Sequence, residues 1–128
     1  MGHEYAKTIL LVEDDPDLAR GVTIRLRAKG YRVVHAPDAT TALTMARGEH
    51  PDLVIMDVGL PGGDGHDVME CLNRNEFTSM IPVVFLTARA QEETVRRAFQ
   101  QGAVGFMTKP YRGDELVAMV ESGLATVA

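Results

Sequence analysis

Five short apolar runs alternate along this chain with five segments of helical periodicity, and turn-rich joints separate them. The apolar runs occupy residues 8–12, 32–36, 53–56, 83–86 and 105–108. Regular alternation of strands and helices favours a parallel sheet with helices on both of its faces. The run at 53–56 is apolar at every position, as expected for a strand that is covered on both sides. The pattern therefore predicts an α/β fold, a doubly wound five-stranded parallel sheet with five helices.

Capping and turn residues predict where the helices begin and end. Asp15 is a favourable N-cap and Pro16 a favourable first helical residue, so a helix is predicted to begin here. Gly30 is predicted to end that helix and Gly48 to close the second one. The fourth helix is predicted to begin near Gln91. Its predicted buried positions are Val95, Ala98 and Phe99.

Size and composition limit what such a sheet can do. The 128 residues suffice for one domain with its own core, and a single cysteine, Cys71, cannot form an internal disulfide. No apolar run approaches the roughly 18 residues that span a membrane, and no export signal is recognisable. With 18 acidic and 13 basic residues the net charge is −5, which argues against direct contact with nucleic acid. We therefore expect one cytoplasmic domain over residues 1–128, with an ordered core at about 7–126, no effector domain and no membrane partner.

Polar side chains follow four of the predicted strands, at the point where each strand ends. They are Glu13, Asp14 and Asp15 after the first strand, Asp57 after the third, Thr87 after the fourth and Lys109 after the fifth. In a doubly wound sheet the functional crevice lies beyond the carboxyl ends of the strands, and neighbouring strands are only about 4.8 Å apart. We therefore expect these residues, although widely separated in sequence, to meet in one shallow pocket.

These residue types favour a magnesium site that supports phosphoryl transfer. Clustered carboxylates repel one another unless a cation neutralises them, and an open all-oxygen site suits Mg²⁺, with Mn²⁺ as a substitute. A carboxylate can then attack a phosphoryl donor while cations stabilise charge on the equatorial oxygens. Asp57 is the best candidate nucleophile, because it ends a strand and Gly59 beside it leaves room for a donor. Lys109 and Thr87 are candidates to bind phosphoryl oxygens.

Five short motifs, in this order, resemble the receiver domains of two-component response regulators along essentially the whole chain. They are Val12-Glu13-Asp14-Asp15-Pro16, Asp57, Leu60-Pro61 with Asp64-Gly65, Thr87-Ala88, and Lys109-Pro110-Tyr111. Each motif alone is a weak signal, but their order and structural context are specific. The resemblance implies a flavodoxin-like fold with strand order 2-1-3-4-5. It also implies a signalling switch that is not a metabolic enzyme and that assists only its own phosphorylation and autodephosphorylation.

The resemblance assigns a role to each residue of the predicted pocket. Asp57 would accept a phosphoryl group from a histidine kinase or a histidine phosphotransfer protein. The implied Mg²⁺ ligands are Glu13, Asp14, Asp57 and the backbone carbonyl of Gly59. Thr87 and Lys109 would assist the transfer, and Asp15 would cap the first helix instead of binding the metal. The Lys109–Pro110 peptide bond would be cis.

A second group of residues would carry the signal out of the pocket. In the family the phosphoryl group draws a threonine inward, and an aromatic side chain moves into the space that it leaves; these residues are Thr87 and Phe106 here. The fourth helix, the fifth strand and the fifth helix would form the output face toward a partner protein or an effector domain. Gly59 and Arg89 would flank the path of the hydrolytic water, so the missing side chain at Gly59 bears on the phosphoryl lifetime.

Other functions and arrangements stay open on the sequence alone. A Mg²⁺-dependent phosphohydrolase with an aspartyl-phosphate intermediate would use the same pocket, but no second acid follows Asp57 at the offset needed for a general acid. A nucleotide or flavin binder is disfavoured because the phosphate-binding glycine motifs are absent. A degenerate receiver acting by constitutive contacts is disfavoured because the acceptor set is intact. Phe106 is nearly as well explained as a static packing residue. Phosphorylation-dependent homodimerisation, and whether the chain stands alone or is part of a longer one, are likewise open.

Overall fold

A computed structural model describes residues 6–126, which form a five-stranded parallel sheet and five helices. The strands are β1 (Thr8–Val12), β2 (Arg32–Ala36), β3 (Leu53–Met56), β4 (Val83–Thr87) and β5 (Gly105–Thr108). The helices are α1 (Pro16–Ala28), α2 (Ala39–Glu49), α3 (Gly65–Arg74), α4 (Glu92–Gln100) and α5 (Gly113–Ala125). Within the described residues, no helix is both long and apolar enough to cross a membrane. The strand order is β2-β1-β3-β4-β5, which confirms the predicted fold.

The register of the strands aligns their carboxyl ends. Val12, at the end of β1, lies opposite Ala36 on β2 and Met56 on β3. On the other side of the sheet, Thr87 at the end of β4 pairs with Thr108 at the end of β5. All of these pairings are parallel. The residues that follow β1, β3, β4 and β5 therefore emerge at the same edge of the sheet.

The sheet separates two apolar layers, because alternate residues of each strand point to opposite faces. Leu10 and Phe85 lie in the layer that α2, α3 and α4 cover, whereas Leu11 and Leu86 lie in the layer that α1 and α5 cover. Every residue of β1, β3 and β4 is buried. Full burial of each large aliphatic side chain stabilises the fold by about 1.5–3 kcal/mol. These layers therefore fix the strand ends from which the polar side chains project.

Two sequence predictions about the helices were wrong. Gly48 does not close α2; the helix continues past it, and His50 takes the left-handed conformation with a φ of 48°. Phe99 is not buried but 49% exposed, and Val95 is only half-buried, so that Ala98 is the buried residue of α4. The reason is that α4 packs near the edge strand β5, whose residues are themselves half-buried or exposed, and this edge offers only a narrow surface to cover.

Candidate functional site

Three carboxylates meet at the carboxyl edge of the sheet. Glu13 and Asp14 follow β1, Asp57 follows β3, and one oxygen from each lies within 4.8 Å of the others. Glu13 and Asp57 are almost fully covered, with 2% and 7% of their surfaces exposed, whereas Asp14 is open to solvent. The pocket therefore combines two buried acids with one that solutes can reach.

Lys109 bridges the two buried acids. Its Nζ lies 2.7 Å from Oδ2 of Asp57 and 2.7 Å from Oε1 of Glu13. Burial lowers the pKa of Lys109, but the hydrogen bonds to Asp57 and Glu13 and the negative charges of these two residues together outweigh this effect, so the pKa is raised above the ordinary value of 10.5. The ammonium is therefore charged at neutral pH and offsets part of the carboxylate repulsion. The Lys109–Pro110 peptide bond is cis, which confirms the expectation drawn from the resemblance.

Glu13 is held by the backbone as well as by Lys109. Its Oε2 accepts a hydrogen bond from the N–H of Asp15 at 3.0 Å. Burial raises the pKa of Glu13 above the ordinary 4.5, the bonds to Lys109 and Asp15 act in the opposite direction, and the charge of Asp57 adds to the increase. Asp15 itself caps α1, because its Oδ1 accepts two backbone N–H groups of the first turn. The prediction that Asp15 is a helix cap is confirmed.

Close backbone packing fixes the position of Asp57. Its N–H donates to the carbonyl of Val12 at 3.1 Å, and its Oδ1 accepts the N–H of Gly59 at 3.2 Å. The N–H of Gly65 donates to the carbonyl of Val58 at 2.7 Å. A Cβ on Gly65 would overlap the carbonyl oxygen of Asp57. The first residue of α3 thus lies directly against the peptide group of Asp57, a contact that the sequence analysis did not foresee.

Thr87 and Phe106 lie on β4 and β5, the two strands on one side of β3. Thr87 is fully buried at the end of β4, and its hydroxyl oxygen accepts the N–H of Arg89 at 3.1 Å. The ring of Phe106 on β5 stacks on Phe85 of β4, with centroids 6.0 Å apart and planes 20° from parallel. Phe106 is partly buried, and it packs against the layer that α4 also covers. Thr87 therefore ends a strand at the edge that carries the acids, and Phe106 packs in the layer that α4 covers.

The guanidinium of Arg89 lies over Gly59. A Cβ on Gly59 would come within 3.2 Å of three guanidinium-group atoms of Arg89, Nε, Cζ and Nη2. The sequence placed both residues beside the pocket but did not predict their contact. The one hint of this contact in the sequence is that Gly59, which has no side chain, and Arg89, which has a long cationic side chain, both lie in loops beside the pocket. The side chain of Arg89 is therefore positioned above the loop that follows Asp57.

The residues of the pocket fit a hard divalent cation. Carboxylate oxygens are the ligands that Mg²⁺ and Mn²⁺ prefer in proteins, and each carboxylate can accept more bonds than those to Lys109 and the backbone. The carboxylates of Glu13, Asp14 and Asp57 face one ammonium, so that two negative charges stay uncompensated. A divalent cation would neutralise both. Glu13, Asp14 and Asp57 could therefore hold Mg²⁺ at the exposed side of the pocket.

Comparison with known sequences agrees with this geometry. The response regulator receiver domain profile matches residues 9–121. The phosphate regulon transcriptional regulatory protein PhoB of Escherichia coli (strain K12) is 37% identical over 123 residues, which are 96% of this chain and 54% of that protein. The DNA-binding response regulator MtrA of Mycolicibacterium smegmatis is 40% identical over 116 residues, which are 91% of this chain and 50% of that protein. The chain thus spans about half the length of these curated relatives.

Solved structures with the same fold cover nearly the whole chain. The non-phosphorylated HemR receiver domain from Leptospira biflexa has a TM-score of 0.86 and 35% identity, covering 93% of this chain and 94% of its own. The signal receiver domain of a signal transduction histidine kinase from Syntrophus aciditrophicus has a TM-score of 0.86 and 33% identity, covering 95% of this chain and 92% of its own. Profile, relatives and structures all extend over the strand ends that carry the acidic pocket. The chain belongs to the response regulator receiver domains of two-component signal transduction.

Proposed function

We propose that Asp57 is the phosphoacceptor of this receiver domain and that its donor is a histidine kinase or a histidine phosphotransfer protein. The observation that carries the proposal is the contact of Lys109 Nζ with Oδ2 of Asp57 at 2.7 Å, inside a pocket of acids. A carboxylate oxygen of Asp57 attacks the phosphorus atom, the bond from phosphorus to the donor histidine nitrogen breaks, and an aspartyl phosphate forms. Lys109 is placed to bind a phosphoryl oxygen as a charged donor.

The proposed Mg²⁺ ligands are Glu13, Asp14, Asp57 and the backbone carbonyl of Gly59. When bound, Mg²⁺ would supply charge neutralisation of the phosphoryl oxygens. Glu13 and Lys109 are paired at 2.7 Å, and this pair orients the ammonium toward Asp57. Asp14 is the exposed member of the set, so it lies where a hydrated cation can enter.

We further propose that Thr87 and Phe106 transmit the phosphorylation state. A phosphoryl group adds roughly −1.5 to −2 charges and strong acceptors beside the end of β4. The Thr87 hydroxyl, now engaged with the N–H of Arg89, would turn toward these oxygens, and Phe106 would move into the space beside β4. The change would alter the face formed by α4, β5 and α5, which would control a downstream protein or an effector domain outside this chain.

The test is the intact mass of the chain after incubation with acetyl phosphate, with and without Mg²⁺. We expect a Mg²⁺-dependent gain of one phosphoryl group in the parent chain and none in Asp57→Asn. Asp17→Asn is the matched control, because Asp17 is an exposed aspartate in the first turn of α1. An equal gain in Asp57→Asn would show that another residue accepts the phosphoryl group. If the parent gains nothing and also fails to bind beryllofluoride, the proposed function is wrong.

A further inference from the structure

A buried histidine clasps the C-terminal end of α4 onto α3. His66, the second residue of α3, is 3% exposed, and its Nδ1 lies 2.8 Å from Oε1 of Gln101. The Nε2 of Gln101 donates back to the carbonyl of His66 at 3.0 Å. The side chain of Asn73 completes the connection by donating to the carbonyl of Gln101 at 2.7 Å. We call these three residues, His66, Asn73 and Gln101, the α3–α4 clasp.

The chemistry of the clasp fixes its orientation. The carbonyl of His66 can only accept a hydrogen bond, so it must face the NH₂ group of Gln101. The amide oxygen of Gln101 then faces Nδ1 of His66, which must carry the proton and donate it. The side chain of Gln101 thus makes two directional bonds with His66, one with its buried ring and one with its backbone carbonyl, and both bonds are partly buried. The C-cap residue of α4, Gln101, is therefore tied to α3 through both its side chain and its backbone.

The N-terminal end of α4 has no corresponding tie within the described residues. Its N-cap, Gln91, makes no capping bond through its side chain. The ion pairs of this end join Arg96 to Glu92 and Glu93, all within α4 itself. Ala98 is the buried residue of the helix, and it lies in the last turn. The helix is thus attached to the rest of the domain chiefly at its C-terminal end.

The clasp is close both to Asp57, the proposed phosphoacceptor, and to Phe106, the proposed switch aromatic. Gly65, next to His66, lies against the carbonyl of Asp57. The ring of His66 lies 5.5 Å from that of Phe85, which in turn stacks on Phe106. Any rearrangement that follows phosphorylation of Asp57 therefore occurs beside a helix end that is held in place.

We propose that the α3–α4 clasp is the fixed end about which α4 turns when the domain switches. His66 and Gln101 are then positioning residues: they confine the movement to the N-terminal end of α4 and so set the shape of the output face. This inference rests on the proposed function, because it presupposes that occupation of the Asp57 site changes α4.

Amide hydrogen exchange, measured with and without beryllofluoride and Mg²⁺, tests the proposal. The Val95 amide reports the N-terminal end of α4, and the Gln101 and Ala103 amides report the clasped end. In the parent chain we expect beryllofluoride to change exchange at Val95 by roughly tenfold and at the clasped end by less than about twofold. In Gln101→Met the clasped end should exchange roughly tenfold faster and should also respond to beryllofluoride.

Two controls separate a local effect from general destabilisation. Gln100→Met makes the same chemical change at an exposed neighbouring residue, and it should behave as the parent chain does. The second control is the Leu11 amide in β1, which should exchange alike in all variants. Asn73→Ala, which removes another member of the clasp, should reproduce part of the Gln101→Met effect.

The outcomes distinguish this inference from the proposed function. Fluorine NMR on the same samples reports whether beryllofluoride binds. If it does not bind to the parent chain, the proposed function fails, and the switching role of the clasp fails with it. If it binds but both ends of α4 change equally in the parent, or if Gln101→Met leaves exchange at the clasped end unaltered, only the fixed-end proposal is overturned.

Discussion

The carbonyl oxygen of Asp57 occupies the space that a Cβ on Gly65 would fill. The two residues are eight positions apart, and the loop between them returns so closely that α3 begins against the peptide group of Asp57. This contact couples the start of a helix to the proposed phosphoacceptor without any side chain. It also gives a structural reason for a glycine at position 65.

Replacement of Gly65 should therefore be costly. We expect Gly65→Ala to lower the free energy of unfolding by roughly 1–3 kcal/mol, because the new methyl group must displace the backbone of Asp57 or of α3. Gly48→Ala is the matched control, because Gly48 lies within α2 and its new methyl group would meet no atom within 4 Å apart from its chain neighbours and the nearby backbone of α2. Alanine also favours the helix by about 0.5–1 kcal/mol. Urea unfolding of both variants checks the prediction. Equal stabilities would mean that the loop relaxes freely around Asp57.

The raised pKa of Lys109 predicts a loss of stability at alkaline pH. The folded chain holds this proton more tightly than the unfolded chain, so the contribution of Lys109 is fully present below its ordinary pKa of 10.5. It is lost as the pH rises through the higher pKa of the folded state. In Lys109→Arg the guanidinium stays charged, so urea unfolding from about pH 9 to about pH 12 should show a steeper decline in the parent chain. The tyrosines titrate in both proteins and therefore do not account for a difference between the two curves. Parallel curves would contradict the prediction.

Removal of the Asp57 charge should stabilise the metal-free chain. Three carboxylates face one ammonium in the pocket, and burial, followed by repulsion from Asp57, raises the pKa of Glu13. We expect Asp57→Asn to increase the free energy of unfolding by about 1 kcal/mol at neutral pH without Mg²⁺. Addition of Mg²⁺ should stabilise the parent more than the variant, because the variant has a neutral amide in place of one proposed carboxylate ligand. A variant less stable than the parent in metal-free buffer would show that the bond from Lys109 outweighs the repulsion.

The placement of the pocket residues could be predicted because it depends on topology. Glu13, Asp57 and Lys109 each follow a strand of an alternating pattern, Thr87 ends one, and parallel strands bring their carboxyl ends to one edge of the sheet. No side-chain geometry was needed for that step. The order of the strands came from the resemblance, since alternation alone allows several orders.

Contacts that depend on side-chain direction could not be predicted. The burial of Phe99 was wrong because helical periodicity does not reveal how much of an edge strand a helix covers. The bond between His66 and Gln101 joins residues 35 positions apart, and neither residue type indicates the other. The positive φ of His50 could not be predicted either, because Gly48, two residues earlier, is the residue type that more often ends a helix in this conformation.

The guanidinium of Arg89 covers the loop residue Gly59, which has no side chain of its own to shield the pocket. The resemblance to receiver domains implies that a water hydrolysing an acyl phosphate on Asp57 would pass between Gly59 and Arg89. We therefore expect Arg89 to slow loss of the phosphoryl group by excluding water and holding charge near the phosphoryl oxygens.

Replacement of Arg89 should accordingly shorten the phosphoryl lifetime. We expect Arg89→Ala to hydrolyse about fivefold faster, which corresponds to about 1 kcal/mol in the barrier. Gly59→Ala should act in the same direction but less strongly, because its methyl group need only displace the far end of a flexible side chain. Arg96→Ala, on the exposed side of α4, is the control and should leave the lifetime unchanged. Each protein is phosphorylated with acetyl phosphate, freed of the donor and followed by intact mass over time; an unchanged or longer lifetime in Arg89→Ala would assign the guanidinium no protective role.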